Sequence, residues 1–167
     1  MNTLVKIIIG DITKEKIECI VSGTDTKLSE GGTVHDAILR AAGPKLKRDL
    51  DEMGTAKIGE CKLTDGYHLP AQKIIHTVLP SWINGESNEG EDLTFCYKNT
   101  LEFAKINKIK ELAFPVLGTG KYRFPKEVSV KIALQSIRRL TKQLEGLTEI
   151  HLIAFDQETF DLFKKYF

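Results

Sequence analysis

Short apolar runs rich in β-branched residues alternate along this chain with longer segments in which apolar residues recur every three or four positions. The runs are typical of buried strands, and the longer segments are typical of amphipathic helices. Strands joined by helix-length connections run parallel, so the alternation predicts an α/β fold with a mixed, largely parallel sheet covered on both faces. The predicted strands are 4–9, 17–21, 57–64, 73–78, 111–116 and 149–155, and the predicted helices are 34–42, 45–53, 92–106, 126–144 and 158–166.

The length of 167 residues predicts one domain, 1–167, that is large enough to bury a core. A formal net charge of +1 gives no overall attraction to nucleic acid or to an anionic membrane, so neither is expected as a partner. The apolar N-terminal stretch is interrupted by Lys6 and stops at Gly10, which is too short for a secretory core or a membrane span. We therefore expect a cytoplasmic monomer.

The three cysteines, Cys19, Cys61 and Cys96, are widely spaced and form no CxxC pair. Their odd number and spacing disfavour a disulfide framework and a zinc site, and favour small buried side chains. The sequence therefore predicts no bound metal, and it predicts no cofactor. A second local signal is a reversal at Asp65-Gly66 and Pro70, which is expected to fold strand 57–64 back onto strand 73–78.

Two glycine-containing loops follow predicted strands, at the edge where open α/β sheets bind ligands. The first loop, 22–33, contains Gly31-Gly32 and leads into a predicted helix. The second loop, 118–125, begins Gly-Thr-Gly-Lys and leads into a helix opened by Pro125. Glycines let a ligand approach the backbone, and helix N-termini offer unpaired N–H groups to an anion. The two loops are therefore predicted to hold a diphosphate between them across one crevice.

The second loop is not the phosphate loop of ATPases, which has Gly where Pro115 stands and Ser or Thr where Tyr122 stands. Asp11, after the first strand, and Phe155, at the end of the last, are suited to an adenine amino group and an adenine face. Spacing alone favours two other roles: core packing for Phe155, and an N-cap of the last helix for Asp156.

Taken together, these segments resemble the macro domain family, whose members bind ADP-ribose. The first strand is followed by Gly10-Asp11-Ile12-Thr13, and 21–25 stands where the family has VNAAN. Segment 37–44 matches the family's AI-x-RAAGP, and Phe155-Asp156 matches the F-D with which the family pattern closes. Further short motifs that match the family lie at 59–61, 66–71, 75–78, 96–101 and 118–125, so the resemblance covers nearly the whole chain.

The resemblance implies a three-layer α/β/α sandwich that binds ADP-ribose or an ADP-ribosylated macromolecule at the strand ends. Asp11 would hold the adenine amino group, Ile12 would supply backbone and apolar contact, and Phe155 would lie against the adenine ring. Tyr122 would cover the distal ribose. The diphosphate would lie between Gly31, Gly32, Thr33 and Val34 on one side and Gly118, Thr119, Gly120 and Lys121 on the other.

Four departures from the family pattern all lie at the reactive end. Asp25 stands where the family has the Asn that contacts the distal ribose, and His35 stands where many hydrolytic members have Asp. Thr33 replaces the third Gly of the glycine run, and Arg123 replaces a Gly of the second loop. A carboxylate at position 25 repels a diphosphate, and the cations Lys121 and Arg123 are expected to compensate for it.

Asp25, His35 and Asp36 are the candidate catalytic residues. Asp25 could accept hydrogen bonds from ribose hydroxyls or orient a water. His35 would lie in the first helical turn, where the helix dipole keeps it neutral and able to act as a base, although an exposed bystander is favoured. Asp36 could be a displaced carboxylate, but Thr33 and Asp36 also have the spacing of a capping box, which we favour.

Three functions remain open from the sequence. The first is binding of ADP-ribose or an ADP-ribosylated partner with weak or no hydrolysis. The second is an ADP-ribosyl hydrolase or O-acetyl-ADP-ribose deacetylase. The third is a rebuilt or degenerate nucleotide-binding scaffold.

Overall fold

Strands and helices alternate in the computed structural model of the protein, which describes residues 2–167. The strands within this range are β1 (Leu4–Ile9), β2 (Cys19–Thr24), β3 (Cys61–Asp65), β4 (Lys73–Val78), β5 (Glu111–Pro115) and β6 (Glu149–Ala154). The α-helices are α1 (Thr33–Ala42), α2 (Pro44–Met53), α3 (Glu89–Ile106), α4 (Lys126–Thr141) and α5 (Gln157–Tyr166). A short 3₁₀ turn, Ile12–Lys14, follows β1.

The strands form one mixed sheet in the order β1-β6-β5-β2-β4-β3. Neighbouring strands are parallel except β3 and β4, which form the expected antiparallel hairpin. Cys19 at the start of β2 lies opposite Lys73 in β4 and Leu112 in β5, so the carboxyl ends of these three strands meet at one edge of the sheet. The predicted fold class is confirmed.

Two clusters of buried apolar side chains lie on opposite faces of the sheet. Ile20 of β2 packs in one cluster with side chains of α1 and α2, such as Ile38 and Leu46. Val21, the next residue, packs in the other cluster with side chains of α3, α4 and α5. Because successive strand residues point to opposite faces, this division produces the three layers of an α/β/α sandwich. No helix within residues 2–167 is long and apolar enough to cross a bilayer.

β2 begins at Cys19 and runs to Thr24, whereas the sequence predicts a strand that ends at residue 21. Its last three residues, Ser22, Gly23 and Thr24, are not apolar side chains, so a search for apolar runs does not include them. Thr24 is nevertheless fully buried. Its hydroxyl is satisfied there, because Oγ1 lies 2.8 Å from the carbonyl oxygens of both Leu28 and Glu30. The longer strand places Asp25 directly at the sheet edge.

α3 begins at Glu89 rather than at the predicted residue 92. The Glu89 carboxylate is buried and turns back onto the loop before the helix. Its Oε2 accepts the backbone N–H groups of Ile83, Asn84 and Gly85 at 2.8, 2.9 and 2.8 Å, and its Oε1 accepts that of Ser87 at 2.6 Å. One side chain therefore orders the loop and starts the helix. Two further elements differ from their predicted bounds: β3 begins at Cys61 rather than at residue 57, and α4 ends at Thr141 rather than at residue 144.

Candidate functional site

A crevice of about 450 Å³ lies at the carboxyl edge of the sheet, between the two glycine loops. The loops approach each other closely, since a Cβ added to Gly32 would lie 3.3 Å from the Cβ of Lys121. The structure thus places both loops on one crevice, as predicted. The predicted binding residues that line it are Asp11, Ile12, Gly32, Thr33, Val34, Gly118, Thr119, Gly120, Lys121, Tyr122 and Phe155.

At one end of the crevice, a carboxylate and an exposed aromatic ring lie after β1 and β6. Asp11 Oδ1 accepts the backbone N–H and the hydroxyl of Thr13 at 2.9 and 2.7 Å. These hydrogen bonds, the one from the Thr13 hydroxyl first, lower the pKa of Asp11. The Phe155 side chain is 79% exposed, so the expectation that it packs in the core is wrong. Because β6 ends at Ala154, Phe155 projects past the sheet and not into it.

Asp156, next to Phe155, does cap α5, as its spacing favoured. Its Oδ1 accepts the backbone N–H of Thr159 at 2.8 Å, and its Oδ2 accepts a hydrogen bond from Lys126 at 3.1 Å. The bond from the Thr159 N–H is the main cause that lowers the pKa of Asp156 to about 2.

The middle of the crevice is lined by the second loop and by the start of α1. Gly118 has a φ of +89°, and a Cβ there would meet Phe124 at 2.9 Å, so this position requires glycine. At Gly120 an added Cβ would meet nothing within 4 Å, because the position faces open space. A ligand can therefore approach the backbone of Gly120 directly. Gly31 does not line the crevice; it pairs with Thr24 behind Gly32.

The predicted capping box at the start of α1 is wrong. The N-cap is Gly32, without a side-chain hydrogen bond, and Thr33 is the first helical residue. The first helical hydrogen bond runs from the Asp36 N–H to the Gly32 carbonyl at 2.9 Å. The backbone N–H groups of Thr33 and Val34 precede that bond, so they have no partner within the helix and lie at the crevice wall.

The helical period of α1 determines where His35 and Asp36 point. His35, Ile38 and Ala42 form the buried stripe of α1, so His35 turns toward the sheet and is 1% exposed. The expectation of an exposed bystander is therefore wrong. Asp36, one residue on, is exposed and does not line the crevice. The candidate catalytic carboxylate Asp36 is thus not brought into the site.

The His35 ring belongs to a small buried polar group beneath the crevice. Its Nδ1 lies 3.1 Å from Ser22 Oγ, and its Nε2 has no hydrogen-bond partner among residues 2–167. The ring also lies edge-on to His76, with a centroid distance of 6.4 Å. Burial lowers the pKa of His35, and it lowers the pKa of His76 to about 3. Both imidazoles are therefore neutral near pH 7.

Asp25 connects the first loop to the second at the other end of the crevice. Its Oδ1 accepts a hydrogen bond from the Tyr122 hydroxyl at 2.7 Å, and its Oδ2 pairs with Lys121 Nζ. Burial opposes ionisation of Asp25, but the bonds from Lys121 and Tyr122 outweigh it and lower its pKa. The same bond to Asp25 raises the pKa of Lys121. Lys121 thus pairs with Asp25, whereas Arg123 makes no ion pair within residues 2–167.

Asp25 does not itself line the crevice; it faces a second depression on the far side of Tyr122. We call this depression, of about 520 Å³, the lateral groove. Leu79 and Tyr122 line both spaces and form the wall between them. The lateral groove is lined by Asp25, Thr26, Lys27, Glu30, Ile58, Leu79, Pro80, Ser81, Ile83, Ser87, Glu89, Asp92 and Tyr122.

Sequence reasoning missed two cations of the crevice, Arg40 and Lys126. Arg40 lies seven residues after Thr33 on the same face of α1, so helical periodicity could have identified it. Lys126 is the first residue of α4, directly after the second loop, and its Nζ bonds to Asp156 and Glu158. Arg40 makes no ion pair within residues 2–167 and adds positive charge to the crevice, whereas the charge of Lys126 is shared with two carboxylates.

A model of the family described as "Macro domain" matches residues 21–133. A macro domain-containing protein of Methanosarcina mazei is 39% identical over 161 residues, covering 96% of this chain and 86% of that protein. An O-acetyl-ADP-ribose deacetylase of Klebsiella pneumoniae is 35% identical over 164 residues, covering 96% and 94%. A mutant of the Oceanobacillus iheyensis macrodomain, solved with ADPR, superimposes with a TM-score of 0.94 at 32% identity, covering 99% of this chain and 92% of that one. With the family model matching most of the chain and these relatives covering nearly all of it, this protein belongs to the macro domain family.

Proposed function

We propose that this protein binds ADP-ribose, free or attached to a macromolecule, in the crevice between the two glycine loops. One observation carries the proposal: a single crevice has an acceptor carboxylate and an exposed aromatic ring at one end, and two glycine loops with a helix N-terminus in its middle. Asp11 and Phe155 suit adenine, and the backbone around Gly32 and Gly120 suits a diphosphate. The ADPR named for the Oceanobacillus structure supports this ligand.

The order of these features gives the ligand a direction. The adenine lies at Asp11 and Phe155, the diphosphate lies between the loops, and the distal ribose reaches Tyr122. Arg40, which makes no ion pair within residues 2–167, supplies positive charge along this path, whereas the charges of Lys121 and Lys126 are shared with neighbouring carboxylates.

We further propose that hydrolysis is weak or absent. A general base works best when its pKa lies near the working pH, and the pKa of Asp25 is lowered while both of its oxygens already accept hydrogen bonds. His35 is buried and bonded to Ser22, and Asp36 faces away from the crevice. Asp25 is thus engaged, Asp36 lies outside the crevice, and His35, at 1% exposure, has little access to a water at the distal ribose.

The second candidate function is ADP-ribosyl hydrolysis or deacetylation of O-acetyl-ADP-ribose. It is favoured by the printed name of the Klebsiella relative, which is an O-acetyl-ADP-ribose deacetylase. In that case His35 would be the base to consider first, because its ring is neutral and lines the crevice.

Calorimetric titration with ADP-ribose, ADP and AMP, side by side, tests the binding proposal. We expect ADP-ribose to bind more tightly than AMP, because only the longer ligand reaches both glycine loops. Equal affinity for ADP-ribose and ADP would mean that the distal ribose contributes nothing. No binding of any of the three would support the degenerate scaffold, and release of acetate from O-acetyl-ADP-ribose would support the second candidate.

A further inference from the structure

The lateral groove lies where the far end of a bound ADP-ribose would emerge, a point that rests on the proposed function. The direction from Asp11 through the loops ends at Tyr122, and Tyr122 and Leu79 are the wall shared by the crevice and the lateral groove. A group attached to the distal ribose therefore leaves the crevice next to this wall. The crevice function alone does not explain why a second depression of about 520 Å³ adjoins it there.

Carboxylates dominate the charge of the lateral groove. Asp25, Glu30, Glu89 and Asp92 line it, and Lys27 is the single cation among its lining residues within 2–167. Asp25 and Glu89 already accept hydrogen bonds inside the protein. Glu30 and Asp92 are exposed; Glu30 lies 3.7 Å from Lys27, and Asp92 makes no ion pair within the described chain. The groove is thus complementary to a cationic segment.

Apolar side chains lie beside these carboxylates. Ile83 is 75% exposed and Ile58 is 48% exposed, and the floor continues with Leu79 and Pro80. The position of Ile83 is held firmly, because its backbone N–H is bonded to the Glu89 carboxylate. An exposed apolar side chain on an ordered loop beside a groove is typical of an interaction site, since it needs no ordering on binding.

We propose that the lateral groove receives the polypeptide to which ADP-ribose is attached, and that this polypeptide is basic with an apolar side chain near the modified residue. Lysine or arginine side chains of the polypeptide contact Asp92 and Glu30, and the apolar side chain packs on Ile83 and Ile58. The crevice then recognises the modification, and the lateral groove recognises the chain that carries it.

Two synthetic peptides test this proposal by calorimetry against free ADP-ribose. Each carries ADP-ribose on a central serine through a non-hydrolysable link and has a leucine beside it; one is flanked by lysines and the other by glutamates. We expect the wild-type protein to bind the lysine peptide roughly three- to tenfold more tightly than free ADP-ribose, as a few exposed ion pairs and one apolar contact would give, and the glutamate peptide more weakly. Raising the salt concentration should reduce the difference.

Three variants locate the effect. Asp92→Lys should abolish the preference for the lysine peptide, and Ile83→Ser, which removes the apolar contact without changing the charge, should weaken both peptides, while the affinity for free ADP-ribose stays within twofold. Glu145→Lys is the matched control, because it reverses an exposed charge outside both spaces and should change nothing.

Two results would overturn the inference while leaving the proposed function intact. One is equal affinity of the wild-type protein for both peptides and free ADP-ribose. The other is an Asp92→Lys variant that loses free ADP-ribose as strongly as it loses the lysine peptide. A protein that fails to bind free ADP-ribose at all would instead contradict the proposed function itself.

Discussion

Asp25 joins the two loops but carries a charge that opposes a diphosphate. We expect Asp25→Asn to tighten ADP-ribose binding by roughly three- to tenfold, because it removes that charge and frees Lys121 to face the ligand. Calorimetry measures the change, and Asp36→Asn is the control because that exposed carboxylate does not line the crevice. Should Asp25 be the working base, the variant would instead bind normally and lose turnover by about 10²–10⁴.

Asp11 is expected to bind the adenine amino group. Asp11→Ala should weaken ADP-ribose by about 1.5–3 kcal/mol, the usual range for hydrogen bonds to charged groups. Asp11 also caps the turn at Thr13, so Asp11→Asn is a useful second variant. The asparagine side-chain oxygen can still accept the Thr13 N–H, while the negative charge is lost. Unchanged affinity in both folded variants would place the adenine elsewhere.

The two glycines of the second loop should respond differently to a larger side chain. Gly120→Val is expected to abolish ADP-ribose binding and keep the melting temperature, because the added atoms enter open space that the phosphates need. Gly118→Val should lower the melting temperature, because its φ of +89° and the contact with Phe124 leave no room for a side chain. Retained binding by a normally melting Gly120→Val would remove the second loop from the diphosphate site.

At the scale of helices and strands, apolar periodicity locates some elements well. β1 and β4 have the predicted bounds, 4–9 and 73–78, because their apolar runs end at turn-forming residues. The start of α1 is less predictable: Thr33 and Asp36 have the spacing of a capping box, but the backbone turns into the helix one residue earlier, at Gly32. His35 lies three residues before Ile38 and seven before Ala42, so the helical period, and not the position of the cap, places it on the buried stripe of α1.

The site could be predicted where it depends on local motifs. The glycine loops and Asp11 follow strands, and the carboxyl ends of parallel strands share an edge, so their meeting follows from the fold class. The pairing of Asp25 with Lys121 joins residues 96 positions apart and depends on the exact approach of the loops. No local pattern specifies that distance. The lateral groove has the same origin, since its walls come from α3 and four loops that are distant in the sequence.

The loop before α3 should depend on one carboxylate. Glu89→Gln is expected to lower the melting temperature by several degrees, because an amide offers one acceptor oxygen to N–H groups that now bond to two. The N–H of Gly85 is the first of the bonds that lower the pKa of Glu89 to about 2. The stabilisation of the folded protein by the Glu89 carboxylate is therefore complete above the ordinary pKa of 4.5, and it is lost as the pH falls from 4.5 toward 2.

A matched comparison separates this effect from a general loss of charge. Glu86→Gln changes a neighbouring exposed residue of the same loop and should melt like the wild type. A Glu89→Gln variant with unchanged melting and unchanged acid sensitivity would show that the loop does not need the carboxylate.

For the molecule as a whole, the two buried imidazoles predict a loss of stability in mild acid. Burial lowers the pKa of His76 from 6.5 to about 3, and it lowers that of His35 as well. Below pH 6.5 the unfolded chain binds protons that the folded protein does not, so stability decreases as the pH falls from 6.5 toward 3. His76 alone should account for about 2 kcal/mol between pH 7.5 and pH 5.

Urea unfolding at pH 7.5 and pH 5 measures this loss. His76→Gln should reduce the difference between the two pH values, and His68→Gln, at an exposed position, should leave it as in the wild type. A wild-type protein equally stable at both pH values would contradict the prediction.

The pairing of β1 with β6 has a consequence for how the protein is made. Leu4 lies opposite Glu149 in this pair, so β1 is synthesised before both glycine loops and waits for β6, which is synthesised after them. Pairings between distant parts of a chain form slowly, and an unpaired apolar strand is open to aggregation in the meantime. Asp11 follows β1 and Phe155 follows β6. A growing chain therefore completes its glycine loops before it can assemble the end of the crevice proposed to hold adenine, and it becomes able to recognise its ligand only after β6 has been synthesised.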